Sequence, residues 1–205
     1  HRADRKALGA CHEITYNIGL LTSLKLPLKD TAVLTWPVSQ QAQERVSQLM
    51  DWLGVGSDEC VVSVHPWTSN PKKQWPLERF RMLLDRLGRT PGVRPVVIGG
   101  PAERARAGDV LPDASPKLMN LVGQLSLKEL AACLRRARVV ITNDSGPMHL
   151  AAAVGTPVVA LFGTADAGSH PRRWGPWGSG HTVIHKPLEQ ITVEEVLVAA
   201  QRYLS

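Results

Sequence analysis

Four loops of this 205-residue chain hold side chains suited to phosphate and sugar. The fullest is Asn143-Asp144-Ser145-Gly146-Pro147-Met148-His149. An apolar helix opened by Gly-Pro presents unpaired N–H groups at its positive dipole end, which is an anion site. Ser145 adds a hydroxyl, and Gly146 lets a phosphate approach closely. Asp144 would repel a phosphate, so its chemistry fits sugar hydroxyls beside one. The plain alternative is a helix cap formed by Asp144 or Ser145, with His149 packed on the first turn. A second loop runs from His65 to Pro76 (HPWTSNPKKQWP). The hydroxyls of Thr68 and Ser69 can bond phosphate oxygens, and Lys73 can neutralise their charge. A solvated loop is the competing reading. In Gly99-Gly100-Pro101-Ala102-Glu103, Glu103 is placed to accept both hydroxyls of a ribose, or to sit at a helix start where the dipole favours it. The fourth loop, Gly163 to Gly168, leads to His170 and to Trp174-Gly175-Pro176-Trp177. Trp67, Trp75, Trp174 and Trp177 all fall in or beside these loops, where they either wall a pocket or anchor the core.

Periodicity supplies the elements that must hold these loops. Cys60–His65, Arg94–Ile98, Met119–Val122, Val139–Thr142, Pro157–Phe162 and Thr182–His185 read as strands, mostly short continuous apolar runs. Between them lie helical patterns at Pro76–Leu87, Glu103–Val110, Ser126 onward, Met148–Val154 and Thr192–Leu204. Ser126-x-x-Glu129 and Thr192-x-x-Glu195 are capping boxes. Strands alternating with helices make βαβ units and a parallel sheet. Continuous rather than alternating apolar strands predict a sheet covered on both faces. The expected fold is therefore a Rossmann-like, doubly wound α/β domain, in which ligands sit at the carboxyl ends of the strands. That rule selects the four loops above. The first 58 residues differ. His1–Gly9 is charged with helical tendency, Leu20–Leu28 is apolar with proline, Thr31–Trp36 fits a short strand, and Gln40–Leu53 fits an amphipathic helix closed by Gly54 and Gly56.

Composition bounds the rest. With 43% hydrophobic and 20% charged residues, the chain has an ordinary globular balance. A net charge of +6 and a pI near 9.5 favour anionic partners without choosing among them. Cys11, Cys60 and Cys133 are odd in number and far apart, so neither a disulfide framework nor a Cys-based zinc site is expected, and a reducing compartment fits. Leu150–Phe162 is too short and too interrupted to span a bilayer. No G-x-G-x-x-G, Walker A, G-x-S-x-G or H-E-x-x-H motif occurs. No basic run interleaved with aromatics points to nucleic acid.

Asn143 to Ala153 followed by Gly155 to Gly163 resembles the signature of glycosyltransferase family 9, the ADP-heptose:lipopolysaccharide heptosyltransferases. HPWTSNPKKQWP resembles that family's lysine-containing loop, and WGPW at Trp174–Trp177 is similar to many members. The resemblance runs over Cys60–Ser205. It implies a GT-B fold, of which residues 59–205 are the C-terminal nucleotide-sugar-binding domain and residues 1–58 a remnant of the N-terminal acceptor-side domain with its connection. By motif match, Thr68, Ser69 and Lys73 would face the donor diphosphate, Glu103 the ribose, and the backbone near Leu125 the adenine. Asp144 would contact the sugar, Ser145 and Gly146 the phosphates, and His149 would support the site. Lys73 and Asp144 would be the catalytic pair.

The implied reaction is an inverting, metal-independent transfer without a cofactor. It moves heptose or a related sugar from an ADP-sugar to a lipopolysaccharide core acceptor, in the cytoplasm or peripherally at the inner membrane face. The family's carboxylate base lies in an N-terminal region with no counterpart in this chain, so the chain alone is expected to be inactive. A stand-alone nucleotide-binding module or inactive fragment is the other expectation. The family's usual Gly-Pro-Thr-Asp-Pro after the fifth strand is replaced here by Gly163-Thr164-Ala165-Asp166-Ala167.

Overall fold

The computed structural model describes residues 11–25, 32–112, 115, 117–166 and 168–204. Six strands, β1 (Cys60–His65), β2 (Val93–Val97), β3 (Met119–Asn120), β4 (Val139–Asn143), β5 (Val158–Phe162) and β6 (Thr182–His185), form one sheet in the order β3-β2-β1-β4-β5-β6. Every pairing is parallel. This is a Rossmann-like α/β sheet, and the strand order reverses between β1 and β4, which is the topological switch point.

Strand side chains alternate between faces, and each face has its own core. Val62, Val64, Val97, Ile141 and Leu161 meet helices Leu77–Gly88 (α3) and Val193–Gln201 (α7) through Phe80, Leu83, Leu84 and Val196. Val61, Val96, Val140, Ala160 and Phe162 meet three other helices: Gln40–Trp52 (α2), Leu127–Arg136 (α4) and Gly146–Ala153 (α5). Covering both faces removes any need for polar alternation, so β1, β4 and β5 are buried almost end to end.

The boundaries follow local chemistry. Both expected capping boxes form, at Ser126–Glu129 and at Thr192–Glu195. Pro76 becomes the N-cap of α3. The segment expected as Glu103–Val110 is a 3-10 helix, Pro101–Asp109. α5 begins at Gly146, two residues before the expected Met148, because Pro147 suits the first turn of a helix.

The N-terminal part departs most from expectation. Residues 32–36 form no strand: Trp36 N–H bonds Ala153 O at the end of α5, and Ala32 O accepts from Trp177 Nε1. Those partners are a helix end and a side chain rather than a strand. Thr31, His1–Gly9 and Leu26–Leu28 lie outside the described residues. Two elements lacked a clear sequence signal. The helix α1 (Glu13–Ser23) docks by Glu13 to Arg173 at 3.0 Å, and the single-turn helix α6 spans Pro171–Trp174. α2 packs Ala42, Val46 and Met50 into the core beside α4.

Candidate functional site

Because all six strands are parallel, their carboxyl ends share one edge, and the four loops lie along it. The order from β3 is Leu125, Glu103, the Thr68–Lys73 loop, the Asp144–His149 loop, and the Asp166–Ser169 loop. The third and fifth of these segments are brought against the fourth, through Lys73 and Ser169.

Asn143 fixes the relation between them. This fully buried residue ends β4, and its side-chain amide donates to Pro66 O at 2.8 Å and accepts from Trp75 N–H at 3.0 Å. The loop after β1 is thus pinned at both ends to β4. Within it, Asn70 caps a 3-10 turn, Pro71–Lys73, and its amide also donates to Asp166 at 2.8 Å. Trp67 and Trp75 are buried anchors: Trp75 Nε1 donates to Ile191 O, and the Trp67 ring lies where a Cβ at Gly99 would come within 2.9 Å. Trp174 and Trp177 are half-buried, with Trp177 against the ring of His12 at 4.7 Å.

The pinned loop aims Lys73 Nζ across the seam to Asp144 Oδ2, 2.7 Å away. Asp144 is buried, and its Oδ2 also accepts from the Ser169 hydroxyl. Among the described residues, no hydrogen bond reaches Oδ1, which leaves an acceptor for a further hydroxyl. Thr68 donates to Asp144 O at 3.5 Å. His149 lies one helical turn on. Burial lowers its pKa, the Asp144 charge opposes that, and His12 and Lys73 reinforce it.

Ser145 is the N-cap residue of α5, yet its side chain caps no N–H. Gly146 follows with ordinary negative φ, and a Cβ there would meet no heavy atom within 4 Å. The backbone therefore does not require glycine at this position. What glycine provides is open space beside a helix N-terminus, a cradle that a methyl group would fill.

Glu103 and Leu125 stand on neighbouring strand ends and not in the Lys73–Asp144 cluster. The Glu103 carboxylate folds back to 3.0 Å from the Cβ position of Gly100, and Leu125 packs against the core. Ser69 is exposed. Three residues of the cluster were absent from the sequence expectation: His65, Asn143 as a pin, and Ser169. Only the strand register and the β5 loop bring them here. Among the described residues, no group of three or more His, Cys, Asp or Glu side chains is arranged to hold a metal ion. A cavity of about 720 Å³ opens at the other edge of the sheet, lined by Val33, Trp36, Arg135, Val154, Trp177 and His181 among others.

A positive lysine, an uncapped helix N-terminus and a buried carboxylate with a spare oxygen can together hold a phosphate next to a sugar. Comparison with known proteins shows the family. Residues 12–199 match the family model for glycosyltransferase family 9 (heptosyltransferase). Lipopolysaccharide heptosyltransferase 3 of Escherichia coli is 30% identical over 168 residues, covering 80% of this chain and 46% of that protein. Lipopolysaccharide heptosyltransferase 2 of Salmonella typhimurium is 25% identical over 215 residues, covering 94% and 60%. Among solved structures, a family 9 glycosyl transferase from Veillonella parvula superposes with a TM-score of 0.86 at 27% identity, covering 95% of this chain and 60% of that one. An E. coli heptosyltransferase solved with ADP gives 0.62 at 26% identity, covering 74% and 47%. The chain spans about half the length of the curated relatives it matches.

Proposed function

The chain belongs to glycosyltransferase family 9, the heptosyltransferases, and from that premise we propose that it supplies the donor-binding half of an enzyme moving a heptose, or a related sugar, from an ADP-sugar to a lipopolysaccharide core acceptor. The observation that carries this reading is the Lys73–Asp144 pair, 2.7 Å across the switch point, beside the open N-terminus of α5. A relative solved with ADP supports the choice of nucleotide.

In this reading the donor diphosphate lies between Lys73 and the α5 N-terminus, with Thr68 and Ser69 on the lysine side and the Gly146 cradle on the other. Glu103 takes the ribose hydroxyls, and the backbone at Leu125 the adenine. The sugar faces Asp144, whose Oδ1 accepts from one of its hydroxyls. A carboxylate base contributed by the N-terminal half takes the proton of the acceptor hydroxyl. The acceptor oxygen attacks the anomeric carbon from the face opposite ADP. The bond from that carbon to the β-phosphate oxygen breaks with inversion, and the electron pair leaves with ADP. Lys73 and the helix N-terminus stabilise the negative charge that grows on the leaving group. These parts require neither a metal nor a redox cofactor.

In this reading the sheet that carries Lys73 and Asp144 is the donor side, and these 205 residues taken alone bind donor without turning it over. Among the described residues, no helix is long and apolar enough to cross a membrane. The proposed site of action is the cytoplasmic face of the inner membrane, where the basic charge suits a peripheral contact with anionic lipid. Calorimetry with ADP, ADP-heptose and a UDP-sugar tests the proposal. ADP-type ligands bind, UDP-sugars bind less well, Lys73→Ala weakens ADP and ADP-heptose alike, and Asp144→Ala weakens ADP-heptose. No ADP-type binding by the intact chain sinks the proposal. ADP binding in the absence of any in-frame N-terminal half upstream points instead to a stand-alone nucleotide-binding module.

A further inference from the structure

A serine at a helix N-cap ordinarily accepts a hydrogen bond from a first-turn N–H. Ser145 does not. Its hydroxyl turns back towards the sheet, 3.1 Å from His65 Nδ1 and 2.9 Å from Thr142 Oγ1. The cause is register. His65 pairs with Thr142 across β1 and β4. Both side chains fall on the sheet face that α5 covers, the face of Val61 and Val140.

Counting hydrogens gives this cluster a direction. A hydroxyl has one hydrogen to donate. That of Thr142 goes to Asn143 O at 3.0 Å, so Ser145 is the donor at its contact with Thr142. The Ser145 hydrogen is then committed as well, so Ser145 accepts from His65, and the imidazole proton is on Nδ1. The chain runs one way, from His65 Nδ1–H to Ser145, to Thr142, to Asn143 O. Burial supports it by lowering the His65 pKa to about 4, which leaves one proton on the ring.

We propose that His65 is a positioning residue for the phosphate-facing turn: its Nδ1–H holds the Ser145 hydroxyl against the sheet and so fixes the start of α5. Pro147 has no N–H, and the Met148 N–H is taken by Ser145 O at 3.1 Å. The N–H of exposed Gly146, without an acceptor among the described residues, is a first-turn donor left for an anion. With its hydrogen turned inward, Ser145 serves that anion through the placement of the backbone around it. The role of the turn rests on the donor-site reading above, whereas the hydrogen-bond chain stands without it.

Two measurements test the inference. In the unmodified chain, long-range 1H–15N NMR of the imidazole at about pH 7 reads the tautomer of His65. A neutral ring protonated on Nδ1 is expected, and an Nε2–H tautomer or a charged ring overturns the proposal. ADP titration then reads the consequence. His65→Leu weakens ADP about tenfold, the size of one lost hydrogen bond, and His65→Asn, which keeps a donor near the Nδ1 position, returns it to within about threefold. Ser145→Ala weakens ADP as His65→Leu does, and the double variant is no weaker than either. Losses that add, or no rescue by asparagine in a folded variant, overturn it. If the unmodified chain binds no ADP, the donor-site reading falls, and the tautomer alone decides whether His65 holds Ser145.

Discussion

Lys73 Nζ and Asp144 Oδ2 stand 2.7 Å apart, joining the loops after β1 and β4 across the point where the strand order reverses. The carboxylate is buried and the lysine about a quarter exposed, 7% and 23% respectively. The lysine can therefore reach solvent or ligand without leaving its partner.

Substitution separates the two roles of this pair. Asp144→Asn keeps the shape of the side chain but loses its charge. ADP binding is expected to be unchanged within about threefold, because the nucleotide meets Lys73 and the helix end. The extra affinity of ADP-heptose over ADP, about 1 kcal/mol for a hydroxyl bonded to the carboxylate, is expected to vanish. Parallel titrations of the two ligands decide it, and an equal loss for both would place Asp144 at the phosphates instead.

Gly146→Ala isolates the cradle. A methyl group there meets nothing in the protein, and alanine costs less backbone entropy than glycine in a helix. Stability should hold or rise by about 0.5 kcal/mol in urea unfolding. ADP affinity should fall at least about tenfold, because the methyl occupies the space a phosphate needs. A variant that is both stable and fully binding would show that the phosphate does not lie at this turn.

Asn143→Ala should cost stability as well as binding. Its amide makes two buried bonds between β4 and the loop after β1. Removing it strands Pro66 O and Trp75 N–H, at about 1–3 kcal/mol for each group left unpaired. Chemical denaturation should show a loss of about 2–6 kcal/mol, and ADP binding should weaken along with it because Lys73 is no longer aimed. Full stability in this variant would remove Asn143 from its role as a pin.

His65 gives stability a pH dependence. Its folded pKa is about 4 against an ordinary 6.5, since burial disfavours the charged ring. Above pH 6.5 neither folded nor unfolded chain protonates this residue, and its contribution is fully present. Between 6.5 and 4 the unfolded chain takes up a proton that the folded chain refuses, so stability falls with falling pH. The slope is about 1.4 kcal/mol per pH unit and the total about 3 kcal/mol. His65→Leu should flatten this part of the stability curve, and an unchanged slope in that variant would assign it to other groups.

The alternation of apolar runs and capped helices was enough to read the parallel sheet, because burying both faces of a strand leaves a continuous apolar stretch that no other local structure needs. Parallel strands put all their carboxyl ends on one edge, so the sequence also selected the loops after His65, Gly99, Thr142 and Phe162, with Lys73 and Asp144 among their residues. Their meeting at 2.7 Å is another matter. It depends on β1 pairing with β4 rather than with β3, a choice made by packing among all six strands. His65 looked like the last residue of a strand until register set it beside Thr142. Ser169 lies 25 residues from Asp144 and carries no motif of its own. The contacts of His12, Glu13 and Ala32 with the Arg173–Trp177 segment left no periodic trace, because they are made by single side chains and backbone carbonyls. Local chemistry wrote the elements and their caps into the sequence. Which polar groups face one another was decided by strand order and register, which are properties of the whole sheet.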